Sequence, residues 1–246
     1  MTRSIKRPSS SKQTLIALRK ELYALADPID AKFLQGFFKT GPGQYGAGDK
    51  FLGLRVPDMR RLVREYPDLE DSQALEMLTS PWHEERLLAL LFLVRSYRRG
   101  DTSVRAKLHR AYIANTRYIN NWDLVDASAH YIVGQHLEAR NIRLLERLAR
   151  SDDIWERRIA IVSTFHFIRL GEFRPTLKIA GLLVDDSHDL IHKAVGWMLR
   201  EVGKRDRRVL DAFLRKHYRT MPRTMLRYAI ERHPQALRKR YLAGTA

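Results

Sequence analysis

The sequence predicts an all-α protein built from stacked helical pairs. Apolar residues recur with helical spacing over nearly the whole chain, whereas short alternating segments rich in Val, Ile and Thr are scarce. Similar helical segments also repeat, so that Trp82, Trp122 and Trp155 are spaced by 40 and 33 residues. Such a period is typical of repeats that stack and share one continuous core.

We expect helices bounded by proline and glycine, the residues that most often interrupt helical segments. The breaks fall at Pro28, the loop 41–49, Pro67, Gly100, Gly171, Pro222 and Pro234. The expected helices cover 12–26, 29–39, 56–66, 71–79, 82–98, 102–116, 119–137, 141–149, 154–170, 174–184, 188–203, 207–217, 221–232 and 234–242.

The repeated units each begin with an acidic or polar cap followed by an apolar helix. They are SPWHEERLLALLFLV (80–94), NNWDLVDASAHYIV (120–133), DDIWERRIAIVSTF (152–165) and DLIHKAVGWMLREV (189–202). Their length and layout suit HEAT-type pairs stacked into a solenoid, whose concave surface is lined by the second helix of each pair. We therefore expect one domain over residues 13–246.

Two features of the N-terminus and of the apolar segments exclude common alternatives. Residues 1–12 are basic and serine-rich without an apolar centre, so we expect a flexible arm and no secretory signal. The longest apolar segment, LLALLFLV (87–94), is far too short to cross a bilayer. We expect no membrane association through a spanning helix.

The charge balance predicts a polyanionic partner. The chain has 45 Lys and Arg residues against 28 Asp and Glu, a formal net charge of +17. DNA, RNA and an anionic membrane surface are all candidates, and a merely basic surface is the alternative. Arginine-rich clusters favour a surface that follows phosphates and a basic concave groove; they lie at 60–64, 95–99, 140–150, 204–208 and 223–227.

The segment NNWDLVDA (120–127) places acid within this basic chain. In a helix Trp122 and Asp126 share one face, whereas Asp123 lies about 100° away, near the helix start, where a carboxylate favours the helix dipole. One interpretation makes Trp122 a core residue and Asp126 a surface acid paired with arginine. The other makes Asp126 functional. A carboxylate on a phosphate-binding surface repels the ligand, so its presence there indicates a functional role.

Other candidates are open to two interpretations. Arg157 and Arg158 are adjacent, so one could hold a phosphate, or both could be solvated. Trp197 could be core or a ring that stacks on a cation. His188 and His192 have the spacing of two metal ligands, but the sequence offers no third ligand, and we expect no metal.

Four segments together resemble one known family. FLGLRVPDMRRL (51–62), NWDLVD (121–126), DDIWERRIAI (152–161) and HKAVGWMLREVGK (192–204) resemble the AlkD-like DNA alkylation repair glycosylases, over about 30–235. The resemblance implies excision of cationic N3- and N7-alkylpurines from double-stranded DNA without base flipping. This chemistry needs no cofactor. Because a solenoid of this size suffices to read a duplex by itself, we expect a monomer, and we expect it in the cytoplasm at the bacterial nucleoid.

The resemblance also implies roles for individual residues. Asp126 matches the family's catalytic carboxylate, and Trp122 and Trp197 match its lesion-facing tryptophans. Arg158 matches an arginine that grips the backbone near the lesion, and we place these four in the catalytic set.

Two positions depart from the family pattern. A tyrosine on the second helix is replaced by Phe37 or Phe38, and a lysine eight residues past the arginine is replaced by His166. The residues assigned to DNA binding are Phe37, Arg55, Arg60, Arg157, His166, Lys193, Arg200 and Lys204.

Three function classes follow from these observations. The first is the glycosylase. The second is a non-catalytic repeat protein that binds damaged or branched DNA. The third is a protein-binding scaffold, the commonest use of helical repeats. The chain has no cysteine, which excludes disulfides, thiolate metal sites and alkyl transfer to a thiol.

Overall fold

The computed structural model describes residues 11–138 and 141–246, and within them the chain is helical with no strand. Two 3-10 turns, Thr116–Tyr118 and Gly134–His136, flank α7. The helices are α1 Ser11–Ala24, α2 Pro28–Phe37, α3 Val56–Glu65, α4 Asp71–Leu78, α5 His83–Arg99, α6 Thr102–Ala114, α7 Trp122–Ile132, α8 Arg143–Leu148, α9 Ile154–Ser163, α10 Phe165–Arg169, α11 Arg174–Leu182, α12 Asp189–Arg205, α13 Arg207–His217, α14 Arg223–Ala229 and α15 Gln235–Ala243.

The predicted fold class, an all-α helical repeat, is confirmed. Consecutive helices pack on one another as pairs, for example α4 with α5, α8 with α9 and α11 with α12. The basic concave groove stays a prediction. None of the described helices is long and apolar enough to span a membrane.

Helix bounds follow local capping. Asp27 accepts hydrogen bonds from Ile29 N and Asp30 N at the start of α2, and Asp206 caps α13 in the same way. The continuous helix expected over 154–170 is wrong, because the chain divides at Thr164. The Thr164 hydroxyl donates to Ile161 O at 2.7 Å, a local bond that competes with the helical pattern.

The chain divides into two compact units, and each has its own packed helices. The first unit ends at Ala127 and the second covers Ser128–Ala246. Residues 1–10 of the expected arm lie outside the described residues, and α1 already begins at Ser11. The single domain expected over 13–246 stays a prediction.

Each unit is organised around one long helix. In the first unit α5 packs on α3, α4 and α6, and its centre is fully buried at Leu88–Leu90. In the second unit α12 packs on α9 and α14. Gly196 allows the close approach to α14, since a Cβ there would lie 2.6 Å from Met225 O.

Candidate functional site

The N-terminus of α7 is fixed by polar contacts. Asn121 is fully buried, and its side-chain oxygen accepts a hydrogen bond from Trp122 N at 2.9 Å. Asp123 lies in the first turn, as the sequence predicts, and accepts from Leu124 N at 2.9 Å. Leu124 and Val125 are buried beneath it. These contacts therefore fix the start of α7 at Trp122 and the direction in which its first turn faces.

Trp122 packs half-buried on an aromatic stack. Its ring stacks on Phe38 with centroids 5.2 Å apart, and Phe38 in turn stacks on Phe51 at 4.9 Å. Phe37 is exposed and meets the indole edge-on at 6.1 Å. Of the two phenylalanines considered in the sequence, Phe37 is thus the exposed ring and Phe38 supports Trp122 from the core.

Asp126 lies one helical turn after Trp122 and is half-buried. The pair therefore shares one face of α7, as the spacing predicts. The Asp126 carboxylate therefore lies on the same side of α7 as an indole that packs on two phenylalanine rings. Such a site can stabilise a positive charge from both a carboxylate and an aromatic face.

A buried ionic cluster lies directly behind the aromatic stack. His83 Nδ1 is 2.8 Å from Asp49 Oδ2, and His83 Nε2 is 2.8 Å from Asp123 Oδ2. Arg86 donates to the other oxygen of Asp49 at 2.8 Å. We name these four residues the His83 bridge. It ties the loop before residue 50 and the start of α5 to the first turn of α7.

The geometry of the His83 bridge requires a charged imidazole. Carboxylates only accept hydrogen bonds, and a neutral imidazole has one N–H, so two carboxylates require both nitrogens to be protonated. Burial by itself would lower the pKa of His83, but Asp123 and Asp49 more than offset it and raise that pKa to about 9. His83 and Arg86 together also lower the pKa of Asp49 against the effect of burial.

The neighbouring glutamate organises the segment after the glycine-rich loop. The buried carboxylate of Glu84 accepts hydrogen bonds from the amides of Leu52, Gly53 and Leu54 at 2.9 to 3.2 Å. Gly53 has a φ of 93°, and a Cβ there would lie 2.1 Å from Asp27 O. This segment therefore positions Phe51 against His83, with ring centroids 4.4 Å apart.

In the second unit Arg158 is buried rather than solvated. It is only 5% exposed, and Nη1 donates to Leu190 O in the first turn of α12 at 2.7 Å. Arg157 donates from Nε to Asp186 at 2.7 Å and from Nη1 to Ser151 O at 2.9 Å. The interpretation of a solvated arginine pair is therefore wrong, and the phosphate contacts assigned to both residues stay predictions.

Trp197 lies half-buried on α12. Its ring centroid is 6.0 Å from that of Phe165, and the Arg205 guanidinium lies 5.8 Å from the Phe165 ring. The indole is therefore neither fully core nor fully exposed, and its contact with a lesion stays a prediction.

Most other cations assigned to DNA binding lie beside an acid. Arg55 binds Asp30, Lys193 binds Asp189 at 2.7 Å, Arg200 binds Glu231, and Lys204 binds Glu201 at 2.6 Å. The pairs of Arg55 and Lys193 are exposed and contribute little, so a phosphate could replace the acid there. Lys204 differs, because its partner Glu201 is buried. Arg60 is exposed.

His166 cannot readily stand in for a lysine. It is half-buried, and burial together with the nearby charge of Arg169 lowers its pKa. A neutral imidazole holds a phosphate less strongly than an ammonium group, because it brings no charge. Of the two histidines with metal-ligand spacing, His188 caps α12 by accepting from Leu190 N, and His192 Nε2 contacts Asp186 O.

A family model described as DNA alkylation repair enzyme matches residues 18–233. The chain belongs to this family. A solved structure titled as a predicted DNA alkylation repair enzyme from Enterococcus faecalis is also similar, with a TM-score of 0.65 at 16% identity. The match covers 85% of this chain and 97% of that one. At such low identity it shows the fold alone, and a search of curated proteins found no match.

The family assignment implies a role in repairing alkylated DNA. Neither the His83 bridge nor the loop held by Glu84 was predicted from the sequence. The signal was present in SPWHEER (80–86), where four consecutive charged or titratable residues form the first turn of α5 and are all buried. Charges that lie within an apolar segment are buried only when they are paired.

Proposed function

We propose that this protein is a DNA glycosylase that hydrolyses the N-glycosidic bond of cationic N3- and N7-alkylpurines in double-stranded DNA, without flipping the base. The observation that carries the proposal is the half-buried pair of Trp122 and Asp126 on one face of α7, in a member of the alkylation repair family.

The chemistry suits a site with a single carboxylate. Alkylation at N3 or N7 leaves the purine positively charged, so the base departs without a general acid. The deoxyribose then develops oxocarbenium character, which a nearby carboxylate stabilises, as in glycoside hydrolysis. We assign this role to Asp126, which can also orient the attacking water. Asp123 is unsuited to it, since His83 holds its carboxylate.

The remaining assignments concern binding. We propose that Trp122 and Trp197 contact the cationic lesion and its sugar through their electron-rich faces. Arg158 is assigned to the DNA backbone near the lesion. Phe37, exposed beside Trp122, is assigned to the DNA surface next to the lesion. We further propose a monomer that acts in the cytoplasm at the nucleoid.

The test is release of 7-methylguanine and 3-methyladenine from methylated duplex DNA. Wild-type protein should release both bases, and Asp126→Asn should lose on the order of 10²-fold or more in single-turnover rate while keeping its affinity for duplex. Asp185→Asn is the matched control, because it removes an exposed aspartate from the second unit and should leave release unchanged.

Three outcomes would contradict the proposal. Unchanged release by Asp126→Asn would refute the assigned carboxylate. Tight binding of duplex by the wild-type protein without release of either base would favour the non-catalytic DNA-binding protein. Absence of DNA binding at low salt would favour the scaffold.

A further inference from the structure

The His83 bridge stands out as a buried cluster that the proposed chemistry does not use. His83 is 2% exposed and lies between two carboxylates, one of which belongs to the first turn of the helix that carries Trp122 and Asp126. Burying this many charges is costly, and helix α5 could begin without them. Their arrangement therefore calls for a function.

The imidazole contacts the site along two routes. Through Nε2 it holds Asp123, the residue directly after Trp122. Through its ring it packs on Phe38 and Phe51, with centroids 5.0 and 4.4 Å away, and Phe38 is the ring on which Trp122 stacks. A displacement of His83 would thus shift both the backbone that begins α7 and the surface that supports the indole.

We propose that His83 is a positioning residue for the reaction: clamped between Asp49 and Asp123, it holds the first turn of α7 and the Phe38 ring so that Trp122 and Asp126 face the lesion correctly. This inference rests on the proposed glycosylase function. His83 does not touch the reacting atoms; it acts through Asp123 and Phe38.

The His83 bridge depends on the charge of the imidazole. The charged groups that face it are Asp49 from the loop before it and Asp123 from α7, with Arg86 reaching it through Asp49. The other segments packed on it, at Phe38 directly after α2 and at Phe51, present aromatic rings. When the imidazole loses its extra proton, it keeps one N–H and can donate to only one of the two carboxylates. The pKa of about 9 places this loss in the alkaline range.

The decisive measurement is the ratio of single-turnover release rates of wild type and His83→Gln across pH 7 to 10. Both proteins act on the same methylated duplex, so titration of the substrate cancels in the ratio. We expect wild type to be faster by about tenfold at pH 7.5, since small misplacements of reacting groups are costly. The ratio should fall towards one above pH 9, where His83 in wild type has lost its charge. The duplex Kd of the two proteins should differ less than about threefold, because the cations assigned to phosphate contacts are not part of the His83 bridge.

His233→Gln is the matched control. His233 is also buried and bonded to an aspartate, Asp211 Oδ1 at 2.7 Å, but it belongs to the second unit. The ratio of wild type to His233→Gln should be independent of pH. A ratio for His83→Gln that is likewise independent of pH would overturn the inference, since a loss of general stability would give the same result in both variants.

A second readout does not need activity. In wild-type protein labelled with 15N-histidine, both His83 nitrogens should be protonated at pH 7.5 and titrate near pH 9. The Trp122 emission, isolated by comparison with Trp122→Phe, should change over the same range. A neutral His83 at pH 7.5, or an emission that does not follow its titration, overturns the inference even if His83→Gln fails to fold. If wild type released no base while these signals were intact, the glycosylase function would be refuted, but the positioning of Trp122 by the His83 bridge would not.

Discussion

Raising the pH should remove a stabilising charge from the core of the first unit. The ordinary pKa of histidine is about 6.5, and in the folded protein that of His83 is about 9. A raised pKa means that the folded state binds the proton more tightly, so this stabilisation is fully present below about pH 6.5 and is lost as pH rises through 9. Each unit of pKa difference is worth about 1.4 kcal/mol, so the loss amounts to about 3 kcal/mol.

The assay is urea unfolding of wild type and His83→Gln at pH 6, 7.5, 9 and 10. Lysines and tyrosines titrate in both proteins, so the difference in free energy of unfolding isolates His83. We expect the free energy of unfolding of wild type minus that of the variant to be larger at pH 6 than at pH 10, by about 3 kcal/mol. Free energies that run parallel across this range would refute the reasoning, because they would show that His83 is not charged in the folded state.

Three further predictions concern the loop, the buried glutamate and the charge of the chain. Gly53→Ala should lower the free energy of unfolding by about 3 kcal/mol or more, because its Cβ would meet Asp27 O. Gly43→Ala, at a φ of 73° with open space around it, should lower it by only about 1 kcal/mol. Equal urea midpoints for the two variants would contradict this. Glu84→Gln should cost about 2 kcal/mol and speed hydrogen exchange selectively at Leu52–Leu54; unchanged exchange there would show that the carboxylate does not hold them. Duplex affinity should fall on the order of 10³-fold between 50 and 200 mM salt, and a flat response would argue against phosphate contacts.

The sequence predicted most of the helices because their signals are local, although the helix expected over 119–137 covers only Trp122–Ile132. Apolar spacing and capping residues such as Asp27 and Asp206 lie within a few residues of the bounds they set. The break at Thr164 was missed, since a threonine inside a helical pattern usually continues the helix. The close approach of Gly134 to Ser163 O, which a Cβ would block at 2.1 Å, depends on residues 29 positions apart.

The ionic cluster behind Trp122 could not be predicted from local pattern. The partners of His83 lie 34 residues before it and 40 residues after it, and only the fold brings them together. The same holds for Arg158, where the sequence could not distinguish a solvated side chain from one that donates to Leu190 O. What the sequence did predict, the shared face of Trp122 and Asp126, follows from helical geometry alone.

The central claim is that the carboxylate of Asp126 stabilises positive charge on the sugar. The most direct measurement compares duplex affinity for an abasic analogue with a cationic pyrrolidine ring against a neutral tetrahydrofuran analogue. Wild type should prefer the cationic ring by about tenfold or more, since it imitates the charged transition state, and Asp126→Asn should bind both analogues equally. An undiminished preference in Asp126→Asn would contradict the claim.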